Sequence, residues 1–125
     1  MAERRFHRDG QSLEPGETTL YLEAVLDGAG AVSSYTRQRG ITSLSRDSAG
    51  LYTLTLQQQY FALLGLEVSF LSATEVGLRF ELVSEDVNGN REIVLHFYDF
   101  NSPGTLTDPT SCTIRITLEL KNVTY

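Results

Sequence analysis

The chain has 125 residues, 41% of them hydrophobic, with six Tyr, six Phe, ten Gly and no Trp. This is the size of a single domain with one core, too apolar for a disordered chain and suited to strands and turns. Its formal net charge of −6 argues against general nucleic-acid binding, which needs clustered cations.

Residues 1–17, MAERRFHRDGQSLEPGE, show no periodicity and carry Gly10, Pro15 and Gly16, so they read as an N-terminal arm ahead of one domain over 18–125. Met1 is followed by charge, with neither a signal-peptide apolar region nor a transmembrane run. Thr18 to Leu26 alternates, with Leu20, Leu22, Ala24 and Leu26 on one side of a strand. Asp27 to Gly30 breaks it, and AVSSYTRQ follows as a more polar strand. Ile41 to Ser45 alternates apolar residues with Thr and Ser, Arg46 to Gly50 reads as a turn, and Leu51 to Leu56 sets Tyr52, Leu54 and Leu56 opposite Thr53 and Thr55.

QQQYFALLG predicts a bend or one helical turn, and Leu66 to Ser72 another strand. In the next strand Val76, Leu78, Phe80 and Leu82 point inward, with Arg79 and Glu81 outward. Asn88-Gly89 predicts a tight hairpin. Arg91 to Phe100 is apolar on both faces, which predicts a central strand. Asn101 to Ser111 is a loop with two prolines. Thr113 to Lys121 sends Ile114, Ile116, Leu118 and Leu120 in, and Arg115, Thr117, Glu119 and Lys121 out. The expected fold is all-β: an antiparallel sandwich or small barrel of seven to eight strands behind an N-terminal arm.

Reactive constellations are sparse. His7 and His96 have no partner at ligand spacing, and His96 reads as a hydrogen-bonded strand histidine. In Glu85 to Glu92, Gly89 comes too early for a calcium loop and no bidentate Glu follows in register. Cys112 is the only cysteine, so no intrachain disulfide forms, and no Gly-x-Ser-x-Gly motif is present. Asn122-Val123-Thr124 matches the glycosylation sequon, which matters only in a secreted chain. No cofactor, metal site or catalytic set is expected, although sixteen acidic residues leave a carboxylate pair possible.

Interaction surfaces are more legible. The basic set is nine Arg and one Lys, a bias that suits interfaces and equally suits a GC-rich genome. Arg4, Arg5, Phe6 and Arg8 combine cations with an aromatic anchor, as do Tyr35, Arg37 and Arg39. The first group reads alternatively as a free terminus and the second as a charged, solvated edge strand.

One ordered set of features spans residues 38–122: Arg46 ending a strand, then Gly50 with Tyr52 and Thr53, Tyr60 with Leu63 and Leu64, Asp108-Pro109, and Asn122 after the last alternating strand. In this order the set resembles small structural proteins of tailed bacteriophages, of the capsid decoration (cement) type. The resemblance implies a non-enzymatic β-domain on the virion surface, homotrimeric, partnered with the major capsid protein, and independent of nucleic acid and membrane. Three alternatives stand beside it: a glycan-binding module using Tyr21, Tyr35 and Tyr98, a tail or head-completion component, and a small hydrolase built on a carboxylate pair.

Overall fold

The structure is a computed structural model that describes residues 16–72, 77–99, 101 and 105–122. Eight antiparallel strands form two four-stranded sheets, and no helix occurs among the described residues. The strands are β1 (Glu17–Leu26), β2 (Val32–Arg39), β3 (Ile41–Ser48), β4 (Leu51–Leu56), β5 (Ala62–Leu71), β6 (Leu78–Asp86), β7 (Glu92–Asp99) and β8 (Cys112–Lys121). One sheet has the order β2-β1-β8-β5 and the other β3-β4-β7-β6, which makes the fold a β-sandwich.

Alternation explains the layering. In β8, Ile114, Ile116, Leu118 and Leu120 are fully buried between the sheets, while Arg115, Thr117 and Glu119 face solvent. In β4, Tyr52, Leu54 and Leu56 are inward, opposite Thr53 and Thr55. β7 lies between β4 and β6, as its two apolar faces require: Ile93, Leu95 and Phe97 are buried, and the outward Val94, His96 and Tyr98 stay half-buried among neighbouring side chains. Each fully buried Leu, Ile or Phe contributes about 1.5–3 kcal/mol. Aromatic rings centre the core, with Phe97 edge-on to Tyr52 at 5.3 Å and to Phe70 at 5.8 Å.

Several boundaries differ from the sequence reading. β1 begins at Glu17, which pairs with Lys121, and Asn122 N–H donates to the Gly16 carbonyl, so Gly16 and Glu17 belong to the sandwich and not to the arm. Arg46, Asp47 and Ser48 continue β3, and the turn shrinks to Ala49-Gly50. Gly50 takes φ +70, and a Cβ there would lie 2.5 Å from the Phe97 carbonyl oxygen, so only glycine fits. QQQYFALLG forms no helical turn: it bends, and its last residues open β5 at Ala62, four residues before the expected strand. Asn88-Gly89 does sit in a hairpin loop, but the loop is longer than two residues. Val87 is buried, Arg91 takes φ +65, and the Asp86 carbonyl accepts from both Gly89 N (3.2 Å) and Arg91 N (2.8 Å). Drawing Val87 into the core is incompatible with a two-residue turn. Leu82 faces the inner side opposite Leu95, yet it is 45% exposed, because β6 is an edge and a register irregularity follows at Val83. Val76 lies outside the described residues.

Candidate interaction surface

The strongest polar cluster joins the loop before β8 to the β3–β4 hairpin. Arg46 Nη2 lies 2.9 Å from Asp108 Oδ2, and Gly50 N–H donates to Asp108 Oδ1 at 2.8 Å. Beside them the buried Tyr52 hydroxyl donates to the Gly30 carbonyl at 2.6 Å. Partial desolvation pushes the Asp108 carboxyl up, but the Arg46 and Gly50 hydrogen bonds and the Arg46 charge outweigh it, so Asp108 titrates below its ordinary range. Burial, then the Asp108 charge, pushes the Tyr52 phenol well above its ordinary value. Every polar atom in these contacts points at another part of the same chain. The cluster is therefore a fastening between the β1–β2 loop, the β3–β4 turn and the segment ahead of β8.

The cysteine and histidines are placed differently from one another. Cys112 opens β8 and is buried, and that burial raises its thiol pKa. His96 faces outward, level with Leu51 on one side and Glu81 on the other, and no side-chain hydrogen bond holds it among the described residues. The hydrogen-bond partner expected for a strand histidine is not found among the described residues, and the outward imidazole stays half-buried between the neighbouring strands. No group of three or more His, Cys, Asp or Glu among the described residues is arranged to hold a metal ion.

The predicted contact residues divide. Arg4, Arg5, Phe6 and Arg8 lie outside the described residues. Tyr35, Arg37 and Arg39 all lie on β2, an edge strand of the β2-β1-β8-β5 sheet. Tyr35 is not a free aromatic anchor. Its hydroxyl accepts from Leu44 N at 2.9 Å and donates to Leu44 O at 3.3 Å, which ties β2 to β3 across the two sheets. Arg37 and Arg115 flank Glu23 on the outer face, at 3.5 and 3.7 Å. A shallow open groove of about 320 Å³ runs over this trio, bordered by Tyr21 and Thr117. Arg39 stands on the same outer face, paired across strands with Tyr21. The Glu23 bridge was missed from sequence because its partners come from two other strands, 14 and 92 residues away along the chain.

Tyr21, Tyr35 and Tyr98 do not form one platform. Tyr21 is on the outer face of one sheet, Tyr98 on the outer face of the other, and Tyr35 is engaged at the edge between them. Strand alternation places them apart, so they do not stack together on one sugar.

No protein-family model matches the chain, and neither does any curated protein or solved structure.

Proposed function

We propose that this protein is a capsid decoration protein of a tailed bacteriophage, a non-enzymatic homotrimer that binds across capsomers and stabilises the head. The observation that carries the reading is the ordered set from Arg46 to Asn122 and its resemblance to such proteins. Four members of that set, Arg46, Gly50, Tyr52 and Asp108, meet in one fastening of the sandwich, so they act as architecture. A β-domain whose Arg46–Asp108 cluster fastens its own segments suits a protein that works by occupancy. Binding only the mature shell stabilises that shell by mass action, and many copies act together. The partners in this reading are the major capsid protein and further copies of the chain, and the site of action is the virion surface.

The arm supplies the capsid anchor in this proposal, through Arg4, Arg5, Phe6 and Arg8. The test is co-sedimentation of the purified chain with capsids of the phage that encodes it, alongside a variant lacking residues 2–15. Because β1 starts at Glu17, the variant keeps the whole sandwich and is expected to stay folded while losing capsid binding. Absence of the protein from purified virions rejects the proposal. Undiminished binding by the shortened chain rejects the role of the arm alone.

A further inference from the structure

Each sheet of the sandwich has two edge strands, and among the described residues these four edges have no further strand beside them. Two are guarded: β3 carries Arg46 and Asp47 with two register irregularities, and β6 carries Arg79, Glu81, Glu85 and Asp86 with one. β2 carries Arg37 and Arg39 with two irregularities, so it is open only to a strand that brings an anion to its cations and fits its irregular backbone. β5 differs. It is ten residues long, Glu67 is its only charge, and its single irregularity lies near the start, so Gly65 to Leu71 runs straight. Leu64 is 49% exposed and Leu71 54% exposed on this strand. A long, straight, apolar edge is an aggregation hazard unless another strand covers it.

The two ends of this sheet match each other. The cross-strand row Arg39–Tyr21–Thr117–Glu67 runs over its outer face and ends in a cation on β2 and an anion on β5. On the inner face a parallel row, Tyr35–Ala24–Ile114–Phe70, ends in an aromatic at both edges. With four antiparallel strands, β2 and β5 run in opposite directions. A second copy added by rotation about an axis along the strands would therefore meet β5 with an antiparallel β2.

We propose that this sheet continues from copy to copy, β5 of one chain pairing antiparallel with β2 of the next in the register that sets Glu67 opposite Arg39 and, with Thr36 left over at the β2 irregularity, Phe70 opposite Tyr35. The occupant of the β5 edge is a second copy of this chain, selected by charge complementarity at Glu67–Arg39 and by the aromatic pair beneath it. The contact is head-to-tail, which gives a ring where the rotation between copies closes and a filament where it does not; closed at three copies, these sheets make a ring of twelve strands. The inference rests on the homotrimer in the function proposed above and adds the surface that makes it. A twofold pairing of β5 with itself would set Glu67 near Glu67 and leave every β2 edge open.

The experiment is the molar mass by light scattering of the full chain and of Glu67→Arg, Arg39→Glu and the double reversal, each checked for unaltered thermal unfolding. The full chain is expected near 42 kDa, three copies of 13.9 kDa. Each single reversal is expected to weaken association about tenfold or more, and the double reversal to restore it to within about threefold, as specificity by charge pairing predicts. A second readout is oxidative cross-linking of the Arg37→Cys/Ser69→Cys chain, whose substituted positions end one further row, Arg37–Glu23–Arg115–Ser69. It is expected to give a covalent trimer that neither single cysteine variant gives. A trimer unmoved by the reversals and not cross-linked overturns this interface and leaves the decoration reading standing. A mass of two copies also overturns it. A monomeric full chain that still binds capsids overturns the interface and the preformed trimer together.

Discussion

Replacing Tyr52 with Phe removes one oxygen from the interior and leaves the ring. The hydroxyl donates to the Gly30 carbonyl at 2.6 Å, and both residues are buried. The edge-on contact with Phe97 at 5.3 Å survives, so the apolar contribution is nearly unchanged. What remains is a buried carbonyl without its donor, and such an orphan costs about 1–3 kcal/mol. For a chain of this length, that lowers the melting temperature by roughly 4 °C per kcal/mol. Urea unfolding followed by circular dichroism measures it directly: the midpoint is expected to fall with an unchanged slope. The pH dependence supplies a second check. The folded-state pKa of Tyr52 is raised, by burial first, so its contribution is complete below the ordinary tyrosine value near ~10 and is lost as pH rises beyond it. The gap between the native chain and Tyr52→Phe should therefore narrow above about pH 10. A loss below about 0.5 kcal/mol at neutral pH, the scatter of ordinary surface substitutions, would refute the fastening role.

Two further outcomes follow from the same cluster. Asp108→Asn keeps an acceptor for Gly50 N–H but loses the charge facing Arg46, a partly exposed pair, and is expected to cost about 1 kcal/mol at neutral pH. Because the folded-state pKa of Asp108 is lowered, its contribution is present above the ordinary carboxylate value near ~4 and is lost as pH falls through the lower folded-state value. Acid titration of stability should therefore bring the native chain and the variant together, and a gap that persists at low pH counts against the ion pair. Gly50→Ala sets a Cβ at φ +70 and 2.5 Å from the Phe97 carbonyl oxygen, next to Thr107 N at 2.8 Å. Strain of this kind costs of order 1–3 kcal/mol before the clash is added, so calorimetry should show a clear drop in melting temperature.

Of the surface residues that the sequence singles out, position was legible and role was not. Tyr35, Arg37 and Arg39 stand on an edge strand, as their polar neighbours suggested. That Tyr35 is occupied by Leu44 depends on β3 returning beside it in the other sheet, and that Arg37 shares Glu23 with Arg115 depends on β8 lying next to β1. Leu82 shows the same limit from the apolar side: alternation assigns its face, but only its place on an edge strand explains why that face stays open.

By itself the sequence determined which stretches form strands, short of their exact ends, and which face of most is apolar, because side chains alternate with period two whatever the neighbours are. β4, β7 and β8 carry that information within six to ten residues each. The two apolar faces of Arg91 to Phe100 even marked its central place. The tertiary structure alone decided the strand order, which sets the first strand against the last, and brought Arg46 to Asp108 and Tyr52 to Gly30. It alone left β5 as the least guarded edge of the sandwich. Pairing between strands is made by backbone groups that every residue carries, so a strand's own letters do not name its partner; packing of the whole core does.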